Sequence, residues 1–398
     1  MILAARSASA VEAPLTFINS NMPPVDFHGF VSQGFIVNSG NNDYLGGRSS
    51  EGTFDFREYG VNASIAYDKW RVGAQFFGQK LGPYGDDKIK LDWGNVDYQA
   101  AQWFGLRAGR VKMPRGLYNE TLDLDSTRPF VLMPQSVYDA RLRDFQASFD
   151  GGMAYGNIAM GKAGSLDYKV FVGCIPMTVN SGASDYFNTD APFANTKIGM
   201  DDAFGGSLFW NTPLQGLRAG YSFSRFQNFN TVRHVLIPAA HVDYMAYKRT
   251  DAYDRHLVSL EYTIGNWVFA AEGGIDNVQK YDVGPVGAEP SVFLYPNTYY
   301  YYASAAWRAN RWLELGAYYS QTHFDQRLVN SKVTTPSLNQ SDYALSARFD
   351  ITDNIIFKVE GHYLYGSGAV FDVPSAPQPP SKRDNSWVLL TAKVTFSF

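Results

Sequence analysis

The sequence predicts an all-β chain: a sixteen-stranded antiparallel transmembrane β-barrel, with a long third loop whose charges, taken up below, suit a place folded into the lumen. Three observations predict the barrel. Aromatic residues make up 16% of the 398 residues and glycine contributes 36, a mix that suits strands and turns better than helices. Apolar and polar residues alternate with a period of two in segment after segment. The connections between those segments are sorted into short and long.

In chain order the segments fall near 27–37, 54–68, 69–80, 88–101, 103–112, 145–160, 164–174, 201–211, 216–227, 252–264, 266–280, 297–309, 311–323, 340–351, 354–366 and 386–398. The last is the clearest. Val388, Leu390, Ala392, Val394, Phe396 and Phe398 share one face, and Leu389, Thr391, Lys393, Thr395 and Ser397 share the other. The segment before it repeats the pattern, with Phe357, Val359, Gly361, Tyr363 and Tyr365 opposite Lys358, Glu360 and His362. The segments at 88–101 and 145–160 alternate least regularly.

Short turns such as Asp68-Lys69, Gly265-Asn266 and Thr352-Asp353-Asn354 alternate with long connections near 38–53, 81–87, 113–144, 175–200, 228–251, 281–296, 324–339 and 367–385. One rim is therefore trimmed and the other elaborated, as in barrels that cross a membrane. Sixteen strands enclose a bore too wide for side chains to fill, so its inner face meets water. Arg71, Arg107, Glu261, Glu272, Glu314, Arg348, Lys358 and Lys393 all lie opposite the apolar stripe. The apolar stripe then meets lipid, and closure pairs the backbone amides that hydrocarbon cannot solvate. Trp70, Trp103, Trp210, Trp267, Trp307 and Trp312 sit beside short turns and read as an aromatic girdle. Tyr299 to Tyr302 are expected toward the opposite girdle.

Other function classes recede. The charges, 34 basic against 38 acidic, leave a net −4, and no basic run supports nucleic-acid binding. No stretch approaches the roughly 18 apolar residues of a membrane helix. The single cysteine, Cys174, allows no internal disulfide or thiolate metal cluster. The six histidines are scattered without zinc-ligand spacing. Asp123-x-Asp125 offers two carboxylates where calcium needs six to eight oxygens. No nucleophile elbow or phosphate loop occurs, so no enzyme, cofactor or metal is expected. Residues 1–26 read as a signal remnant or flexible segment, with small-residue sites at Ala8-Ser9-Ala10 and Val11-Glu12-Ala13. Residues 27–398 form the single barrel domain.

From Phe27 to Phe398 the sequence resembles the Gram-negative general porins. The likeness rests on the sixteen alternating segments, the long third connection and the terminal Phe398 on an alternating strand. It implies an outer-membrane channel for passive diffusion, a homotrimer with one pore per subunit, a third loop that narrows each pore, and contact with membrane lipid and lipopolysaccharide. The stretch GRVKMPRGLYNETLDLDSTRPFVLMPQSVY is similar to the strand-to-third-loop region of substrate-selective porins. The second long connection, 81–87, is shorter than a loop that latches on to a neighbouring subunit.

The candidate site follows. Connection 113–144 carries Arg115, Glu120, Asp123, Asp125 and Arg128, with Asp139, Arg141 and Arg143 further on. Pro114, Pro129 and Pro134 stiffen it. A charged, stiff loop suits an internal constriction; the alternative is a solvated surface loop. A strand gains roughly 2.5 Å of height per residue at this tilt, which puts Arg107, Lys358 and Lys393 near mid-height with lumen parity. The expectation is a basic wall, including Arg71 and Arg348, facing Glu120, Asp123 and Asp125 across the bore. Opposed charges would set up a transverse field. The leading function is a water-filled channel for ions and small hydrophilic solutes. The alternative is an anion-type selective porin in which Arg107, Lys358, Lys393 and the loop arginines converge on one binding site. A barrel hydrolase would need a paired nucleophile and base, and none is seen. A sheath around an electron carrier would need a second chain in the lumen.

Overall fold

A computed structural model describes residues 15–17, 23–45, 49–82, 84–186, 195–278, 281–289, 291–293, 297–324, 339–367, 370 and 382–398. Most of the expected leading segment, and parts of the first, second, fourth, sixth, seventh and eighth long connections, lie outside the described residues. Sixteen strands form one antiparallel ring. They are β1 (Val25–Asn38), β2 (Phe56–Tyr67), β3 (Trp70–Leu81), β4 (Lys90–Ala101), β5 (Phe104–Lys112), β6 (Ser148–Ala159), β7 (Ser165–Cys174) and β8 (Ala203–Asn211). The second half is β9 (Leu217–Ile237), β10 (Val242–Ile264), β11 (Trp267–Val278), β12 (Thr298–Arg308), β13 (Leu313–Phe324), β14 (Gln340–Asp350), β15 (Ile355–Gly366) and β16 (Ser386–Ser397). Each pairs with its sequence neighbour, and β16 pairs with β1 from Phe30–Ser397 to Asn38–Leu389, which closes the barrel. At the seam Phe398 and Gly29 exchange backbone hydrogen bonds of 2.9 and 3.0 Å. A Cβ at Gly29 would overlap the Phe398 ring, so a larger residue there would displace that ring.

Sidedness follows the alternation. Val394 and Phe396 are 43% and 47% exposed, whereas Lys393 beside them on the strand is 2% exposed. The apolar positions face outward and the charged ones inward. A packed soluble barrel would show the reverse. The six girdle tryptophans are all exposed beside the short turns. The tyrosine run divides. Tyr299 and Tyr301 face outward as expected, but Tyr300 and Tyr302 are buried on the inner face. Consecutive strand residues must point to opposite sides, so the four could not share one girdle.

Two connections differ from expectation. Residues 228–251 are not a loop: β9 and β10 continue through them as a hairpin with its tip at residues 238–241. Short strands Asn195–Gly199 and Tyr281–Pro285 pair with this hairpin, and Ser291–Phe293 pairs with the latter. One face of the hairpin is buried at Phe229, Thr231, Lys248 and Thr250, but polar and apolar residues are mixed on both faces, so no apolar stripe marks it in the sequence. The third connection runs to residue 147, because residues 143–146 form a helical turn before β6. In the second connection Asp87 folds back on β2, where it accepts a hydrogen bond from Arg57 Nε at 2.8 Å.

The inner face is not uniformly polar. Near the long-loop rim, Ile36, Phe56, Leu81, Leu364, Trp387 and Leu389 form a buried cluster with Tyr44 and Leu45 of the first connection and Val131 and Leu132 of the third. A second cluster joins Leu142 and Phe145 to Phe149, Phe171, Phe226, Phe229 and Tyr253. Loop and wall thus share apolar cores, which burial of such side chains stabilises by about 1.5–3 kcal/mol each.

Candidate functional site: the third connection and the inner wall

Connection 113–147 lacks a continuing strand or long helix. Its proline residues interrupt regular structure, and it is held instead by hydrogen bonds and ion pairs to inward side chains of many strands.

The densest attachment is at Asp125. Its carboxylate lies 3.0 Å from Lys358 Nζ and 3.3 Å from Lys393 Nζ. Thr395 Oγ1 donates to it at 2.8 Å. Lys358 also donates to the carbonyls of Asp125 and Phe130, at 2.6 and 3.1 Å. Arg348, Lys358 and Lys393 are direct cross-strand neighbours on β14, β15 and β16. Three like charges side by side repel, and Asp125 offsets that repulsion from the loop. Burial alone would raise the Asp125 carboxyl, but the two ammonium groups outweigh it and hold it well below the usual carboxylate range. At the ends of the row, Lys393 pairs with Glu58 at 2.5 Å and Arg348 with Asp350 at 2.7 Å. Arg348 also donates to the Ser126 carbonyl.

Asp123 belongs to a second cluster. It pairs with Lys112 and, at 2.6 Å, with Arg143. The same two cations meet Asp92 at 2.6 and 2.9 Å. Gln75 donates to Asp92 at 3.0 Å and to Asp123 at 3.2 Å. The Arg143 guanidinium lies 3.8 Å over the Phe77 ring, a cation–π contact. Burial again opposes ionisation of Asp123, and Lys112 and Arg143 override it, so its carboxyl is held far down.

Two inward carboxylates hold loop backbone. Glu360 accepts from the amides of Val131 and Leu132 at 2.9 and 3.0 Å. His362 links Glu360 to Asp342, 3.0 Å from each. Glu272 accepts from the Leu117 amide at 2.9 Å, Ser259 Oγ at 2.6 Å, Tyr302 at 2.9 Å and Tyr138. Burial pushes the Tyr138 phenol well up, and the Glu272 carboxylate adds to it. Glu272 and Glu360 have the expected inward parity, but backbone amides as their partners leave no sequence signal. Asp92, Lys112 and Gln75 escape a sequence reading because their shared partners lie on other elements.

The other expected residues are dispersed. Glu120 pairs with Lys169 of β7. Arg115 donates to the Val137 carbonyl at 2.9 Å and to Tyr300 at 3.3 Å, and Arg128 to the Leu122 carbonyl at 2.7 Å. Arg107 pairs with Asp97 at 2.5 Å and Arg71 donates to Ser64 at 3.2 Å. Arg348, Lys358 and Lys393 are brought together with Asp125; Arg71, Arg107 and Arg115 each find a different partner. Glu58 faces inward, to Lys393, and its neighbour Arg57 pairs with Asp87 instead. Among the described residues no group of His, Cys, Asp or Glu is placed to hold a metal ion.

No family model matches the sequence, and no curated protein matches it by sequence. Solved structures do match it in shape. Salmonella typhi OmpF in complex with daunomycin aligns over 96% of this chain and 99% of its own, at a TM-score of 0.59 and 11% identity. The chain has the porin fold. An anion-selective porin from Comamonas acidovorans aligns over 94% of this chain and 99% of its own, with TM-score 0.55 and 11% identity. The outer membrane channel DcaP of Acinetobacter baumannii aligns over 96% and 99%, with TM-score 0.54 and 11% identity. At such identity the porin likeness is carried by the closed ring of strands and its sidedness, not by shared site residues.

Proposed function

We propose that the protein is an outer-membrane porin, a water-filled channel for passive diffusion of ions and small hydrophilic solutes, in which connection 113–147 crosses the bore and narrows it. The carrying observation is the inverted sidedness: charged side chains turned inward and apolar ones outward around a closed sixteen-strand ring. Support for a narrowing loop comes from its bonds to inward residues as far apart as Lys112 on β5, Glu272 on β11 and Lys393 on β16. The reading includes a homotrimer in contact with lipid and lipopolysaccharide, and no catalytic role. Planar-bilayer recordings of the purified protein test it. Stepwise conductance is expected, and its absence rejects the reading.

The anion-type alternative has one observation in its favour, the cross-strand row Arg348–Lys358–Lys393. Against it, these side chains are buried and matched by Asp125, Glu58 and Asp350, and Arg107 is paired with Asp97.

A further inference from the structure

We infer that Leu124, and not the acidic residues beside it, forms the solute-facing edge of the constriction, and that this edge favours uncharged polar solutes over ions of either sign. The inference rests on the reading that connection 113–147 narrows a conducting bore. Leu124 has extended backbone angles, φ −86° and ψ 92°, so its side chain points away from those of its two neighbours. Asp123 and Asp125 turn to the wall, with side chains 5% and 3% exposed. Leu124 turns the other way and is 39% exposed.

The residues around it are also uncharged on the open side. Thr127 is exposed, and Thr121 and Ser126 are half-buried. Thr127 Oγ1 donates to the Leu124 carbonyl at 2.7 Å and Thr121 Oγ1 to the Tyr118 carbonyl at 3.3 Å. Their hydroxyl protons are thus engaged within the loop. Glu120 is the half-buried carboxylate of this stretch, and Lys169 neutralises it. A transverse field needs separated charges facing water. Here the opposed charges touch and are shielded by the loop itself, so their far field largely cancels. A permeating solute at this edge meets the Leu124 side chain and the exposed Thr127 beside it. Such an edge exerts little Coulomb selection and gives weak apolar contact to a neutral solute.

The aspartates instead act as positioning residues that hold the edge in place. The Asp123-x-Asp125 spacing, too poor for calcium, is the spacing that sends two carboxylates to the wall and one intervening side chain to the bore.

Reversal potentials across a potassium chloride gradient test this in bilayers. The wild-type cation-to-anion permeability ratio is expected within about twofold of one, rising about threefold or more in Leu124→Asp and falling by a similar factor in Leu124→Lys. A second measurement modifies the folded channel. Leu124→Cys in a Cys174→Ser background is exposed to a negatively charged methanethiosulfonate during recording, and a stepwise fall in anion current is expected. A conducting wild type whose ratio does not move in either charge variant, with a Leu124→Cys channel that ignores the reagent, overturns the inference while leaving the channel reading intact. A wild type without stepwise conductance overturns the channel reading and the inference together.

Discussion

Lys358 and Lys393 face each other on adjacent strands, and the single carboxylate of Asp125 lies within 3.0 and 3.3 Å of their ammonium groups. One loop residue thereby makes a buried pair of like charges tolerable, and two strands hold one point of the loop.

Removing that carboxylate leaves buried Lys358 without an ionic partner among the described residues and Lys393 with Glu58 alone. Asp125→Ala is expected to destabilise by about 3–5 kcal/mol, as for a buried pair broken on one side. Thermal unfolding in detergent is expected to shift down, and single-channel recordings to become noisier as the loop edge is released. Asp125→Asn keeps an acceptor for Thr395 and is expected to lose less. Equal stability of Asp125→Ala and wild type would show that the contact contributes nothing to the fold.

Acid acts on the same attachments. The folded-state values of Asp123 and Asp125 are lowered, so their stabilisation is complete above the unfolded-state value of about 4 and is lost as pH falls through the lowered folded values. Unfolding midpoints are expected to be insensitive to these two groups between about pH 7 and pH 5, and to fall at lower pH. The pH slope below about pH 4 should be shallower in the Asp123→Asn/Asp125→Asn protein, measured by thermal scans across pH.

Glu360 holds two consecutive amides, Val131 and Leu132. Glu360→Leu leaves both buried donors without an acceptor, at about 1–3 kcal/mol for each unsatisfied group. Hydrogen exchange at Val131 and Leu132 is expected to speed up while exchange in β15 and β16 stays slow. Unchanged protection at both amides would show that the apolar cluster alone holds this part of the loop.

Charge on the wrong face tests the sidedness. Leu390 faces outward and is 55% exposed, so Leu390→Lys is expected to cost about 2–4 kcal/mol near mid-membrane, read as a lower denaturant midpoint in lipid vesicles. The same lysine at Thr391, on the inner face, should cost less in lipid.

Arg107 and Asp97 form a neutral pair on neighbouring strands. Removing both, as Arg107→Gln/Asp97→Asn, is expected to leave the cation-to-anion ratio unchanged in reversal-potential measurements. A marked loss of anion preference in this variant would favour the anion-type alternative.

The sequence by itself determined the ring. A strand in a wide barrel answers to two solvents, lipid outside and water inside, and that demand is written locally as a period of two. Sixteen segments, their facing and the girdle tryptophans are therefore legible one strand at a time. Legibility ends where the two-solvent rule stops. In the hairpin through residues 228–251 polar and apolar residues are mixed on both faces although one is buried at Phe229, Thr231, Lys248 and Thr250, and at Ile36, Leu364 and Leu389 the inner face meets loops instead of solvent. Only the tertiary structure decided the site. Asp123 goes to Lys112 and Arg143, Asp125 to Lys358 and Lys393, and Arg107 to Asp97. Most of these choices join one strand to another or the loop to a distant part of the wall. Ion pairing selects by distance in space, which no local pattern of residues encodes.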